Sequence, residues 1–451
     1  MGTKELNLAE PRSKKIYKSY EDENMRVGIC LMQGWRKSME DTALAMPNFD
    51  GQGNSLFGVF DGHGGSIISQ FVACNIENIL KNSKYYKKAN YEKSLIDSFI
   101  LLDELLKNKA IDTFLKKIRA HQKELNENIG ENVGSIINKE LFNNNIKNDP
   151  FADYLFFCYS YLDNETNLKY QFPNMEQYLK KQYSIGLNNN INDIKKINLE
   201  NKKRNYSTNK TLNNKVSKSK SSNIIKFSRI DDLNIKKKNI MEAEDINNIL
   251  NSKTLSKIKL FKDPEKTPLN NLISNDTGTT ANVLLLKNNY FYVANVGDSL
   301  SVMYKKEKAI KLNQEHKTTL DKEYNRIKKC GGKLINYRIN GKLNITRAIG
   351  DLSYKNRNNG YIYEQDVLAI PEVTKYSLED VDFIIMGSDG FWDYGDDIST
   401  ICDNISKELK NNPKKDLCDL IGNIFDKGLA KANNYLRGTD NMSCIIIQFI
   451  K

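Results

Sequence analysis

No stretch of about 18 consecutive apolar residues occurs in this chain, so no segment has the length and hydropathy of a membrane-spanning helix. The basic-then-apolar opening of a secretory signal is missing as well. Met1-Gly2 raises the question of myristoylation, but that pattern asks for Ser or Thr where Leu6 stands. Cysteine is present without any pairing pattern. Cys30, Cys74, Cys158, Cys330, Cys402, Cys418 and Cys444 are odd in number, scattered, and form no Cys-x-x-Cys. That excludes a disulfide framework or a cysteine zinc site and fits a reducing compartment. The expectation is an intracellular protein, cytoplasmic or nuclear, with peripheral membrane attachment through Gly2 as the alternative.

What is present suffices for a sizeable core: 39 % hydrophobic and 10 % aromatic residues exclude a wholly disordered chain. The net charge of +12 is unevenly spread. Between Lys195 and Ile240, 14 Lys and Arg face three acids (Glu200, Asp231 and Asp232), a local excess of 11. Nearly all the positive charge therefore belongs to one segment, where an acidic partner could bind. From about Ala110 to Ser274 the sequence is rich in Asn, Lys, Ile and Ser. Phe151–Tyr161 and Tyr178–Tyr183 could order, whereas Asn201–Ser222 offers almost nothing to bury.

Outside that stretch the hydrophobic pattern is that of a layered domain. Leu56–Phe60 reads as a buried strand closing in a turn. Ile68, Phe71, Val72, Ile76, Ile79 and Leu80 recur at helical spacing, as do Leu95, Phe99, Leu102 and Leu106. Val283–Leu286, Phe291–Val296, Phe383–Met386 and Ser443–Ile450 are further strands, and Lys322–Lys329 a helix stopped by Gly331-Gly332. Mixed helices and near-continuous apolar strands indicate an α/β fold with several strands covered on both faces.

Carboxylates stand beside these strands. Asp61 follows one within Gly58–Gly65, Asp298 another within Val293–Ser299, and Asp389 a third within Ile385–Asp393. Asp440 precedes the last strand in Gly438–Ser443, and Arg36–Asp41 supplies Glu40 and Asp41. Acids at strand ends can converge on one sheet edge, where a hard divalent cation finds oxygen ligands. Singly, each Asp-Gly is more often a turn. The glycines after Asp61 lack the Gly-Lys-Ser/Thr ending of a P-loop, which argues against nucleotide binding.

In their order these segments resemble the type 2C family of metal-dependent protein phosphatases. The matching run is Arg36–Asp41, Asp61–Gly65, Asp276–Ala281, Val293–Ser299, Glu315–Lys317, Gly341–Asp351, Gly387–Asp393 and Gly438–Ser443. The resemblance implies an α+β, four-layer α-β-β-α sandwich of two antiparallel sheets flanked by helices. It divides the chain into a 1–24 N-terminal extension, a catalytic domain in two parts (25–110 and 275–451), and a 111–274 insertion. It implies phosphoserine and phosphothreonine proteins as substrates, a monomer, and two Mg²⁺ or Mn²⁺ ions with a weaker third. By motif position Asp61 would bridge both ions and the Gly62 carbonyl would bind one. Asp389 and Asp440 would complete the direct set, Glu40 and Asp41 would act mainly through water, and Asp298 and Asp393 would hold the third. Two ions sharing a water dispense with a covalent nucleophile, and no Cys-x5-Arg loop is present. Arg36 would grip the phosphoryl oxygens. His63 would protonate the leaving alkoxide, or else serve as a structural hydrogen-bond partner of an acid. Asn441, His316 and Arg347 read as structural, and His121 has no role. Thr318 stands where the family often has proline, which puts the neighbouring loop in question. The rival reading keeps the fold but loses catalysis, leaving a pseudophosphatase that acts as a scaffold.

Overall fold

The computed structural model describes residues 7–120 except 109, 110, 114 and 117, residues 135–138, and residues 271–450 except 358–362, 394, 434 and 436. Two six-stranded sheets form its centre. In the first, the order is β1 (Asn7–Glu21), β2 (Met25–Arg36), β17 (Met442–Phe449), β16 (Val381–Gly387), β10 (Leu300–Lys305) and β11 (Lys308–Lys311). In the second it is β15 (Glu372–Ser377), β9 (Tyr290–Val296), β8 (Ala281–Lys287), β4 (Ser55–Phe60), β3 (Thr42–Met46) and β6 (Ser135–Asn138). All pairings are antiparallel except that of β6, which runs parallel to β3.

The strand period of two decides which residue enters which layer. Along β17, Ile445 and Ile447 join Val27, Ile29, Phe57, Val59, Leu284 and Ile384 between the sheets. Cys444 and Ile446 point the other way, against Ile401 and Ile405 of α5 (Ile398–Asn411) and Leu420, Ile421 and Phe425 of α6 (Leu417–Gly428). Both faces of this antiparallel strand are thus buried, which is why its sequence reads as an unbroken apolar run. Asp397 and Asp416 start α5 and α6 by accepting the amides of Thr400 and Cys418. On the far side, α1 (Ile67–Asn82) and α2 (Tyr91–Leu105) cover the second sheet, burying Phe71, Val72, Leu80, Leu95 and Phe99. The result is the four-layer α-β-β-α order expected from the sequence.

The strands and helices anticipated above are present. Lys322–Lys329 is α3 (Asp321–Lys329), and the strand placed at Ser443–Ile450 is β17. Two features are additional. The 1–24 segment contains β1, which pairs with β2 from Ile16↔Leu31 to Glu21↔Arg26 and is tied to α6 by the Lys15–Asp426 ion pair at 2.6 Å. Past residue 110, residues 111–113, 115, 116 and 118–120 are helical, and Ile111 and Leu115 are buried. Phe151–Tyr161, Tyr178–Tyr183, Asn201–Ser222, the basic Lys195–Ile240 and His121 lie outside the described residues. Six cysteines are described, and all are free thiols. Among the described residues no helix is long and apolar enough to cross a membrane.

Candidate functional site

The sheet registers bring the acidic motifs to one end of the sandwich. β2 ends at Arg36, close to where β17 begins, because Met32 pairs with Met442. β16 ends beside the same start, with Gly387 opposite Cys444. In the second sheet Phe60, the last residue of β4, pairs with Thr42, the first of β3. The β9–β10 turn carrying Asp298 reaches the same end, since Leu300 pairs with Gly387. Five loops from two sheets therefore present Glu40, Asp41, Asp61, Asp298, Asp389 and Asp440 together.

Hydrogen bonds fix these loops before any carboxylate can do chemistry. Asn441 accepts the Glu40 amide at 2.9 Å and donates to the carbonyls of Gln33 (2.8 Å) and Ser38 (3.0 Å), tying the β2–β3 loop to the start of β17. Ser443 donates to the buried Asp41 carboxylate at 2.6 Å, and Ser38 donates to Glu40 at 2.6 Å. The Asp61 carbonyl accepts from the Thr280 amide (2.8 Å) and the Thr279 hydroxyl (3.1 Å). Gly62 packs so closely on the Glu40 carbonyl that a Cβ there would collide with it. Arg36, half-exposed, forms an ion pair with Asp440.

The electrostatics of this end are unbalanced. Burial, then the charges of Asp41, Asp389, Asp440 and Asp298, push the Asp61 carboxyl well above its ordinary value. Asp389 is pushed up to about 8 by burial and by Asp298 and Asp440, against the pull of Lys317. Asp41 rises to about 7 through burial, in spite of the Ser443 hydrogen bond. Asp298 is raised by burial, partly offset by Lys317, whose ammonium lies 3.4 Å away and also pairs with Glu315 at 2.9 Å. Crowded, partly desolvated carboxylates answered chiefly, among the described residues, by Arg36 and Lys317 are a donor set suited to a hard divalent cation. Among the described residues no three His, Cys, Asp or Glu side chains are arranged to enclose an ion. The fit thus lies in donor chemistry and shared location. Asp393 stands apart: it is exposed at the end of α4 (Asp389–Trp392) and is not among the charges that chiefly act on Asp61, Asp298 or Asp389.

His63 lies in β5 (Gly62–His63), held in a small sheet by β7 (Gly278–Thr279) and β14 (Ile349–Gly350). Its Nε2 is 2.7 and 2.8 Å from the two carboxylate oxygens of Asp351, which is only 2 % exposed. Burial lowers the imidazole pKa, but Asp351 outweighs it and the net direction is upward. Gly278 makes room for the pair: a Cβ there would lie 2.6 Å from Asp351 Oδ2 and 2.9 Å from His63 Nε2. Asp351 closes the Gly341–Asp351 motif, yet nothing in the sequence signals its pairing with a histidine 288 positions earlier. Arg347 holds Glu323 at 2.6 Å and His316 is fully buried, so both are structural, as expected. Thr318 donates its amide to Asn344 (3.1 Å) and its hydroxyl to the Tyr337 carbonyl, bonds a proline could not make.

The family model for protein phosphatase 2C matches residues 25–121 and 179–434, and the chain belongs to that family. It is 26 % identical to the probable protein phosphatase 2C 21 of Arabidopsis thaliana, over 98 % of this chain and 92 % of that protein. It is 24 % identical to the probable protein phosphatase 2C 6 of Paramecium tetraurelia, over 98 % of both. Among solved structures, a phosphatase from a pathogenic strain of Toxoplasma gondii superposes with a TM-score of 0.47 at 16 % identity, covering 97 % of this chain and 96 % of that one.

Proposed function

We propose that this protein is a catalytically active serine/threonine phosphatase that works with two Mg²⁺ or Mn²⁺ ions at the acidic end of the sandwich. The observation that carries this reading is the convergence of Asp41, Asp61, Asp298, Asp389 and Asp440 on the end where the strands of both sheets stop, with burial and the other four charges raising the Asp61 carboxyl. Asp61, the Gly62 carbonyl, Asp389 and Asp440 are the direct donors. Glu40 and Asp41 act through water, and Asp298 and Asp393 are the set for a weaker third ion. When bound, such ions supply charge neutralisation and a water acidic enough to attack phosphorus.

The chain's own residues supply the rest. Arg36 extends from the end of β2 over Asp440, where its planar fork can take two phosphoryl oxygens. His63, whose Nε2 is held by Asp351 and whose pKa that carboxylate raises, would donate its Nδ1 proton to the serine or threonine oxygen. Asn441 and Ser443 keep Glu40 and Asp41 from swinging into solvent. Phosphoproteins are the substrates, and the basic Lys195–Ile240 segment is the part suited to an acidic partner. The division into a two-part catalytic domain and an insertion belongs to the same proposal. The pseudophosphatase alternative would require a lost donor, and Asp61, Asp389 and Asp440 are all present in the sequence.

Replacing Asp61, Asp389 or Asp440 by alanine should abolish hydrolysis of a phosphoserine peptide while far-ultraviolet circular dichroism stays unchanged. EDTA should do the same to the unaltered protein, and added Mn²⁺ should restore it. Full activity in EDTA refutes the metal-dependent reading.

A further inference from the structure

The Gly62–Gly65 loop is gripped from two sides, once by the start of the long insertion and once by the strand that follows its end. The returning end supplies β7, which pairs with Gly62 and His63. The outgoing end supplies Arg119, whose Nη2 donates to the Gly64 carbonyl at 3.2 Å. Arg119 belongs to the helical segment that is anchored by buried Leu115 and by Asp112. The Asp112 carboxylate accepts the Ile273 amide at 2.6 Å, so the outgoing and returning ends are fastened to each other seven positions before Arg119 and five before β7. Gly64 follows His63 directly, and Gly64 and Gly65 both have positive φ (74° and 123°), a backbone with little stiffness of its own.

We infer that Arg119 is a positioning residue for the catalytic loop: by holding the Gly64 carbonyl it fixes the orientation of the Gly62–His63 peptide and couples the root of the insertion to the active site. This inference rests on the metal-dependent reading for its effect on catalysis, but the contact itself does not. The exposed guanidinium makes one hydrogen bond to a carbonyl, a task a lysine ammonium can also perform. Alanine cannot.

The test uses the full-length protein with Arg119→Ala and Arg119→Lys. Mn²⁺ affinity by titration calorimetry should weaken by about tenfold in the alanine variant, the scale typical of groups that orient metal ligands, and recover in the lysine variant. The value of kcat should fall with it, with KM for a phosphoserine peptide little changed. Hydrogen exchange of the peptide covering residues 61–66, measured in EDTA, should quicken in the alanine variant and return towards the original rate with lysine. Equal exchange rates and equal Mn²⁺ affinity in all three proteins overturn the inference. So does a loss in the alanine variant that follows a lower melting temperature in EDTA and is not repaired by lysine. If the unaltered protein binds no Mn²⁺, the metal reading fails by itself, and the exchange experiment alone decides the role of Arg119.

Discussion

Deletion of the insertion separates two boundaries that differ by only a few residues. Removing 121–270 takes away the edge strand β6 but leaves the 111–120 segment and Leu272–Ser274 in place, and the Asp112–Ile273 bond shows that the two cut ends are neighbours. Replacing that stretch by about ten flexible residues lowers the loop-closure cost by about 2 kcal/mol, since the cost grows only with the logarithm of length. Removing 111–274 instead strips Ile111, Leu115, Leu272 and Ile273, all buried, from the core. At about 1.5–3 kcal/mol for each fully buried aliphatic side chain, the loss is about 6–12 kcal/mol as an upper bound. That rivals the whole stability of an ordinary domain, about 5–15 kcal/mol. The shorter deletion should therefore melt cooperatively within a few degrees of the full chain, and the longer one should be insoluble or show no unfolding transition. Differential scanning fluorimetry and urea melts followed by tryptophan fluorescence measure this. If both deletions melt alike, the 111–120 helical segment contributes no core and the reasoning is wrong.

Two further outcomes follow from the site. Without metal, the folded state keeps protons on Asp41 (about 7), Asp389 (about 8) and Asp61 that the unfolded chain releases near pH 4. The folded state thus binds more protons in that interval, and stability in EDTA should fall as pH rises from about 4 to about 8, with added Mg²⁺ reversing the loss. A melting temperature in EDTA that rises over this range contradicts the picture. His63→Gln should slow a phosphoserine peptide, whose alkoxide needs a proton, by up to about 10²–10⁴-fold while slowing nitrophenyl phosphate far less. Asp351→Asn should shift the two rates the same way; equal losses on both substrates in either variant remove His63 from the role of acid.

The strands that carry the acids were readable because β4, β16 and most of β17 are buried on both faces, as is the second half of β9, so the sequence shows apolar runs with an Asp close to one end. β1 was not readable for the opposite reason. It is an edge strand, paired on one side and half-exposed along its length, so Lys14, Lys15 and Lys18 interrupt any apolar signal. The 110/111 boundary was drawn where composition turns to Asn and Lys, but burial continues through Leu115 because one turn of helix needs only one or two apolar residues to dock. Arg36 and Asp440 could be placed in one site through a family resemblance, whereas their ion pair depends on the β2–β17 register, which no local pattern encodes. The His63–Asp351 pair is of the same kind: two short strands, two residues each, meet across β7 and leave no periodicity to read.

The β2–β17 pairing also sets an order of events during synthesis. Met25–Arg36 sits in the middle of the first sheet between β1 and β17, and its partner on one side lies some four hundred positions later, at Met442–Phe449. A nascent chain can form the β1–β2 hairpin early, but that ribbon keeps one edge open until the ribosome has delivered Met442–Phe449. Such distant pairing slows folding and leaves a bare apolar edge for chaperones to shield. Asp440 arrives with the same late strand, so the acidic end is completed in the same step that closes the sheet. A truncated translation product would then be both sticky and inert, and a cell reading activity would be reading completion of the fold.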